Sequence, residues 1–336
     1  VFTLTFFKAN MIPVRLIATG KAVPSHSVTS ASLDLKLGHP PGYTLRKSGV
    51  LSRFVAAPDE SQSQLGAAAL LDALKNASLR PADIDLLICA NGVPEQALPN
   101  TACFVAEHAG LPPGTQSFDV NASCLSFMAA FRVAASMLAG GAYRRIAIVS
   151  SDLASRGVDW SEPEASMIFG DGAAAVIVER GDGSAGIRAY KMGTYPEGRR
   201  YCEIRGGGTE RNPRNGCEPG DYLFRMDGKA VFRLAVKVMP DFLAELMQES
   251  GAGLDKVDVV VPHQASPLGL AHAARILDVP DAKIIKIFET HGNQVAASLP
   301  TALHEAVMTG RAVAGQRLLM MGTAAGLTIG GMILDL

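Results

Sequence analysis

The amino-acid sequence predicts an α/β fold made of two similar halves, and two observations support this prediction. Short β-branched runs alternate with Ala- and Leu-rich stretches between residues 84 and 152, which is typical of buried strands connected by helices. The run at 84–88 is echoed at 257–261, and similar segments follow each run in the same order. Chance similarity between βα units is the alternative explanation. The repeat favours two copies of one unit, residues 11–182 and 183–336.

The two halves are predicted to contain the same series of elements. A buried strand is followed by a polar loop and an Ala-rich helix, at about 100–110 in the first half and 269–277 in the second. A short strand that ends near Phe118 or Phe288 comes next, followed by another Ala-rich helix. A glycine-containing connection, a further strand and a Gly-rich hairpin then complete each half.

Two regions lie outside this repeat. Residues 1–10 are apolar but lack the basic region and small-residue cleavage site of a signal peptide. They are interpreted either as an extension from an alternative start or as an ordinary first strand. Residues 195–222 are rich in Gly, Pro, Asn and Arg, which predicts a long surface loop of the kind that often carries binding residues.

Composition and charge exclude several classes of protein. Of the 336 residues, 48% are hydrophobic and 19% charged, which suits a large core and argues against disorder. The 31 Lys and Arg residues nearly balance the 32 Asp and Glu residues, so no overall basic field favours nucleic acid. No apolar run reaches the ~20 residues that span a bilayer. The five cysteines form no CxxC pair or Cys/His cluster, so no metal site is indicated and a reduced, cytoplasmic setting is expected.

Cys124 is the first candidate for chemistry. It follows the predicted strand FDV and the small polar segment Asn-Ala-Ser, and a helix is expected to run from about this residue. A helix N-terminus lowers the pKa of a thiol, and its N–H groups stabilise an oxyanion. The alternative is a buried structural cysteine, which is our interpretation of Cys89 in a strand and Cys103 in a helix. Cys202 and Cys217 fall in the irregular region.

His263 and Asn293 are the other two candidates. His263 follows the buried strand of the second half, where an imidazole can serve as a base or a hydrogen-bond donor; a satisfied structural histidine is the alternative. Asn293 follows Gly292 just before a helix, where an ordinary N-cap is the alternative. His291 competes with Asn293. Cys, His and Asn at corresponding ends of a duplicated fold are a stronger signal than any of them alone.

Together, these segments resemble the β-ketoacyl-acyl carrier protein synthase III group of the thiolase superfamily. FDVNASC, FGDGAAAVIVE, VPHQAS and HGNQVAASLPTAL match in order and spacing, and the likeness extends over nearly the whole chain from Met11. The resemblance implies a five-layered αβαβα fold of two similar halves, and a homodimer. Asparagine at the third catalytic position separates the chain from biosynthetic thiolases, which have Cys–His–Cys, and from elongating synthases, which have Cys–His–His.

The resemblance also implies a role for each residue of the triad. Cys124 takes an acyl group from a thioester, and His263 and Asn293 hydrogen-bond the carbonyl of a second thioester. These donors stabilise the enolate that attacks the acyl-cysteine. The backbone N–H groups of Cys124 and Ala325 are implied as the oxyanion hole. The implied substrates are thioesters of coenzyme A or acyl carrier protein, with no bound cofactor, metal, membrane or nucleic acid.

The substrate-binding residues follow from the same resemblance. Tyr43 stands where the family has a Trp that stacks on the adenine of coenzyme A, and Arg46 and Lys47 offer charge near the tunnel mouth. The residues expected to line the acyl tunnel, each equally well explained as core, include Leu98, Phe127 and Met226. Acyl chain length cannot be read from these residues.

Departures from the family pattern leave alternatives open. Glu164 stands near the position of an Arg that closes on the adenine, and Leu268 replaces a basic residue that docks carrier protein. Both put the usual donor contacts in doubt and suggest a specialised role. Decarboxylative condensation is favoured over acyl transfer to a hydroxyl or amine. Head-to-head condensation of two acyl-CoAs would require Glu95 to replace the catalytic Glu of that group, and a non-catalytic partner subunit is disfavoured by the intact triad.

Overall fold

The computed structural model describes residues 11–336, apart from the side chains of Glu164 and Ala165. The interpretation of residues 1–10 therefore lies outside the described residues. The strands are β1 (Ile12–Ala22), β2 (His26–Thr29), β3 (Ser52–Val55), β4 (Leu86–Cys89), β5 (Gln116–Asp119), β6 (Arg145–Asp152), β7 (Gly172–Arg180), β8 (Gly186–Thr194), β9 (Cys202–Glu203), β10 (Arg225–Met226), β11 (Val259–Pro262), β12 (Arg317–Ala324) and β13 (Thr328–Asp335). The helices are α1 (Ser30–Leu37), α2 (Tyr43–Ser48), α3 (Gln62–Asn76), α4 (Thr101–His108), α5 (Ser126–Ala139), α6 (Pro163–Ser166), α7 (Gly228–Ser250), α8 (Pro267–Leu277), α9 (Phe288–His291) and α10 (Ser298–Met308).

The main sheet carries the same strand arrangement twice. Its order is β11-β12-β13-β8-β1-β7-β6-β4-β5, and β1 and β8 join antiparallel at Ile12–Ile187 and Pro13–Gly186. Outward from this joint, β7 is antiparallel to β1 and β6 is antiparallel to β7, whereas β4 is parallel to β6 and β5 is parallel to β4. On the other side, β8, β13 and β12 are antiparallel and β11 is parallel to β12. The prediction of two similar halves is thus confirmed, and the predicted boundary at 182/183, still a prediction, lies between β7 and β8.

Helices and sheet form five layers. Helices α3 and α4 pack on one face of the first half of the sheet, and α7 and α8 pack on the outer face of the second half. Helices α5 and α10 lie between the two halves, in an apolar core to which both halves contribute. The predicted five-layered αβαβα fold is confirmed. The helices expected at 100–110 and 269–277 are α4 and α8.

One predicted strand is missing from the second half. The segment expected to end as a strand near Phe288 makes a single parallel bridge, Val260–Ile284, and Phe288 begins α9. The Gln264 side chain explains the difference, because its Oε1 accepts the N–H groups of Ile287 and Phe288 at 3.0 and 3.1 Å. Its Nε2 donates to Ile285 O at 3.1 Å. A buried amide thus takes the backbone groups that a strand ladder would use.

Candidate active site

A cavity of ≈ 1880 Å³ brings the three candidate catalytic side chains together. Cys124, His263 and Asn293 all lie on its walls, with Ala325 of the loop between β12 and β13. Parallel strands β4 and β5 in one half and β11 in the other end beside this cavity. Residues that follow the carboxyl ends of such strands are where open α/β sheets bind ligands.

Cys124 lies in a tight turn between β5 and α5. Helix α5 begins at Ser126, two residues after the start expected at about Cys124. Ser123 is left-handed with a φ of 52°, and the hydroxyl of Ser126 accepts the N–H of Ala122 at 2.8 Å while donating to Asn91 O at 2.9 Å. These contacts fix the turn that carries the thiol.

The pKa of Cys124 differs from the expectation. Burial raises the pKa of its thiol to about 12, and the nearby Asp152 carboxylate acts in the same direction. The N–H groups of Ala325 and of Cys124 itself oppose this, because they donate toward the sulfur. The prediction of a lowered pKa is wrong, since desolvation outweighs the helix dipole. The resting thiol is protonated, with two N–H donors already beside it.

His263 is held by the backbone of the neighbouring strand β12. The backbone N–H of His263 donates to the backbone carbonyl of Met321 at 2.8 Å. A Cβ on Gly322 would stand 2.5 Å from the Cβ of His263. Glycine at 322 is therefore what allows the histidine its position. Burial lowers the pKa of His263 to about 4, so the imidazole is neutral at pH 7. Within residues 11–336 its Nδ1 has no hydrogen-bond partner.

Asn293 presents its amide nitrogen to the cavity. Gly292 before it has a φ of 68°, and a Cβ there would stand 2.7 Å from Ile168 O. The Oδ1 of Asn293 accepts the N–H of Val295 at 2.9 Å, while its Nδ2 makes one long contact, 3.5 Å to Ala265 O. Because α10 begins only at Ser298, Asn293 is not its N-cap.

His291, the competing candidate, points elsewhere. Its Nδ1 lies 2.9 Å from Thr290 Oγ1, and its ring packs against Phe54 with centroids 5.7 Å apart. Burial lowers its pKa to about 4. His291 is not among the residues that line the cavity, so the geometry favours Asn293.

Four of the predicted substrate-binding residues line the cavity: Tyr43, Arg46, Lys47 and Met226. The ring of Tyr43 already packs against His39, with centroids 4.5 Å apart, and Lys47 Nζ stands 5.9 Å from its centroid. Leu268 also lines the cavity and is 72% exposed. The cavity rim therefore combines cationic and apolar side chains.

Two predicted tunnel residues do not line the cavity of this chain. Phe127 is fully buried in the core between the sheet halves and packs against Phe131, with centroids 6.0 Å apart. It lies on the face of α5 that turns into the core, so its assignment to substrate is corrected. Leu98 is 83% exposed, on the loop that precedes α4, and it is likewise absent from the cavity wall.

The other cysteines differ from their predictions in one case. Cys89 is buried as expected, but Cys103 is exposed, because it lies on the outer side of α4. Cys202 lies in β9, within the irregular region, and lines the cavity. Burial raises the pKa of the Cys202 thiol to about 12. The 195–222 region thus contributes to the cavity wall.

Asp152 is a cavity residue that sequence reasoning missed. It is the last residue of β6, is 2% exposed and lines the cavity. Nothing in the sequence marks it beyond its place between a buried strand and a polar loop.

Across residues 11–336, no helix is long and apolar enough to cross a membrane, and no cluster of His, Cys, Asp and Glu is arranged to hold a metal ion.

The five-layered fold, with cysteine, histidine and asparagine on one cavity, defines a thiolase-fold condensing enzyme. Residues 118–196 match the family model of 3-oxoacyl-[acyl-carrier-protein] synthase III, and residues 247–336 match the model of its C-terminal part. The chain belongs to this family.

Relatives and solved structures agree with this assignment. The β-ketoacyl-[acyl-carrier-protein] synthase III of Thiobacillus denitrificans is 33% identical over 320 residues, which cover 95% of this chain and 98% of that protein. The synthase of the same name from Desulfitobacterium hafniense is 30% identical over 96% of this chain and 98% of its own. The crystal structure of the Aquifex aeolicus 3-oxoacyl-[acyl-carrier-protein] synthase III superposes with a TM-score of 0.86 at 28% identity, covering 96% of this chain and 100% of that one.

Proposed function

We propose that this chain catalyses a decarboxylative Claisen condensation through Cys124, His263 and Asn293. In the first half-reaction, the thiol of Cys124 attacks an acyl thioester, giving acyl-cysteine and a free thiol. In the second, a malonyl-type thioester loses CO2, and its α-carbon attacks the acyl group. One proton is taken up at the sulfur of Cys124, which leaves as the thiol, and the product is a β-ketoacyl thioester.

The observation that carries this proposal is the set of neutral donors on one cavity. Negative charge develops twice, on the acyl oxygen at Cys124 and on the carbonyl oxygen of the decarboxylating thioester. The N–H groups of Cys124 and Ala325 are the donors beside the sulfur. His263, neutral at pH 7, and the Nδ2 of Asn293 supply donors for the second oxygen. Preorganised neutral donors stabilise such charge at the positions where it develops.

The same arrangement favours condensation over simple acyl transfer. An acyltransferase needs the nucleophile and one oxyanion hole, whereas an enolate needs a second pair of donors. Asn293 has its oxygen bonded to Val295 N, so its nitrogen is the atom left to serve an incoming carbonyl. This is the role that a transfer to a hydroxyl or amine would leave unused.

The substrates are proposed as thioesters of coenzyme A or of acyl carrier protein. Arg46 and Lys47 are exposed on the cavity rim, and Lys229 also lines it; such cations favour a phosphate or an acidic partner. No bound cofactor or metal is required by these steps.

A cytoplasmic homodimer is proposed as well. The five cysteines are free thiols, which suits a reducing compartment. Strand β5 ends the nine-strand order, so among residues 11–336 its outer edge pairs with no strand and is available to a second copy.

The test is a reaction of purified protein with an acyl-CoA and with malonyl-CoA or malonyl carrier protein. We expect equal amounts of CO2 and β-ketoacyl product from wild type, and no β-ketoacyl product from Cys124→Ala. Comparing the two malonyl thioesters identifies the carrier. Acyl transfer to an added hydroxyl or amine without CO2 release would replace this proposal with the acyltransferase alternative.

A further inference from the structure

Asp152 makes an unusual set of contacts for a residue on the cavity wall. Its Oδ1 accepts the backbone N–H groups of Gly92 and Val93 at 2.9 and 3.2 Å. Its Oδ2 accepts the N–H of Ala296 at 3.1 Å. A carboxylate that accepts several backbone N–H groups forms strong, charge-assisted bonds, so both of its oxygens are committed to holding backbone.

These bonds join the two halves of the molecule beside the site. The turn of Gly92 and Val93 follows β4 in the first half, whereas Ala296 belongs to the turn that follows Asn293 in the second. The two turns also touch, because a Cβ on Gly92 would collide with the side chain of Val295. The carbonyl of Asn91, next to Gly92, accepts from the hydroxyl of Ser126 that fixes the turn of Cys124.

We propose that Asp152 is a positioning residue, which holds the turn beside Cys124 and the turn after Asn293 at a fixed separation. The inference rests on the proposed function and adds a fourth residue to it. Asp152 acts through Cys124 and Asn293 and is not itself proposed to bond to substrate. Small displacements of reacting groups reduce rates steeply, so a residue that sets their spacing matters to the reaction.

The carboxylate also acts on the thiol through its charge. Ionised Asp152 raises the pKa of Cys124, and burial raises the pKa of Asp152 itself to about 7. His263 and Cys202 on the same cavity are both uncharged near pH 7, because their pKa values are about 4 and about 12. The charged residues Arg156, Glu95 and Glu203 also line the cavity. The guanidinium of Arg156 donates to the backbone carbonyl of Glu60 at 2.6 Å and keeps its charge.

Asp152→Asn is therefore expected to have two opposite effects: it slows condensation, and it makes the thiol of Cys124 more reactive. The amide keeps the shape but has one acceptor oxygen, so its NH2 group faces backbone N–H groups on one side, and the two turns separate. Removing the charge lets the thiol of Cys124 ionise at lower pH. A merely structural residue would slow the reaction without making the thiol more reactive.

Asp171 provides a matched control. It is fully buried and its carboxylate accepts the N–H groups of Ala56 and Ser155, each at 2.8 Å. Burial raises its pKa as well, but it does not line the cavity. Asp171→Asn thus imposes a similar loss of backbone contacts away from the thiol.

The experiment compares wild type, Asp152→Asn and Asp171→Asn. Iodoacetamide labelling of the Cys124 peptide is followed against pH, and condensation is measured on the same preparations. We expect Asp152→Asn to shift the labelling profile of Cys124 to lower pH and to slow condensation by about 10- to 100-fold. Asp171→Asn should leave the labelling profile where wild type has it.

An unchanged Cys124 profile in Asp152→Asn, or the same shift in Asp171→Asn, would overturn the proposal. If Asp152→Asn does not fold, Asp152→Glu serves: it keeps the charge but displaces the turns, so labelling should match wild type while condensation falls. Wild-type condensation by Asp152→Glu would contradict the positioning role. The labelling profiles are measured without substrate and test the role of Asp152 alone. A wild-type protein that fails to condense would refute the proposed function and leave the labelling result intact.

Discussion

Cys124 and Asn293 occupy corresponding places in the two halves of the molecule. Each follows the segment of its half that ends near Phe118 or Phe288, and each precedes a helix of the middle layer, α5 or α10. Each also comes directly after a left-handed residue, Ser123 with a φ of 52° and Gly292 with a φ of 68°. The duplicated fold thus brings two similar turns to one cavity, one holding a nucleophile and the other a hydrogen-bond donor.

Cys124 in the first half and His263 in the second share an electrostatic property as well. Burial raises the pKa of Cys124 and lowers the pKa of His263, so both side chains are neutral at rest. Desolvation penalises the charged form of either group. The nucleophile and the imidazole donor are therefore neutral at rest, and the charge that they handle forms only during reaction.

The largest expected effect comes from removing the donor on the second turn. Asn293→Asp keeps the size and the oxygen bonded to Val295 N but lacks the NH2 group. We expect condensation to fall by about 10²- to 10³-fold while Cys124 is still acylated, measured by product formation and by intact mass. Asn293→Ala should behave alike. Loss of acylation, or wild-type condensation by Asn293→Asp, would show that the two turns do not divide the steps.

The pH dependence of stability tests the second half alone. The folded pKa of His263, about 4, lies below its ordinary value of 6.5. As the pH falls, His263 therefore binds a proton in the unfolded state before it does so in the folded state. The stability that the neutral imidazole contributes is complete above pH 6.5 and is lost as the pH falls through 4. Relative to His263→Gln, the free energy of unfolding of wild type should decline by up to about 3 kcal/mol between these pH values. Urea denaturation of both proteins measures it, and a constant difference would contradict the burial of a neutral imidazole.

The smallest effects come from exchanging the left-handed residues themselves. Gly292→Ser adds a Cβ 2.7 Å from Ile168 O in a left-handed conformation, and should lower the free energy of unfolding by about 2 kcal/mol. Ser123→Gly relieves strain but makes the unfolded chain more flexible, so a change below about 1 kcal/mol is expected. Thermal denaturation compares them. Equal effects would mean that the two turns are not distinguished by close packing.

Sequence reasoning predicted the fold class because the repeated pattern of strands and helices follows from burial. It also selected Cys124, His263 and Asn293, since each lies where a buried strand or turn meets a polar segment in a distinctive motif. Their catalytic roles stay predictions. Ala325 could be named only by resemblance, because a backbone N–H leaves no mark in the choice of side chain.

Other features depend on tertiary contacts that no local pattern records. The sign of the Cys124 pKa shift was wrong, because the depth of burial was not visible beside the helix start. Phe127 was assigned to substrate, although the face of α5 that it occupies turns into the core. Asp152 was missed, since its partners are backbone N–H groups at positions 92, 93 and 296, far apart in sequence.

The formation of an acyl-cysteine at Cys124 is tested most directly by the intact mass of the protein after incubation with acyl-CoAs from acetyl to long chain. Wild type and Cys124→Ala are compared, and the panel is repeated with acyl carrier protein thioesters. We expect one added acyl group on wild type and none on Cys124→Ala, with the preferred acyl chain read from the mass. An acyl group on Cys124→Ala, or none on wild type with either carrier, would contradict this expectation.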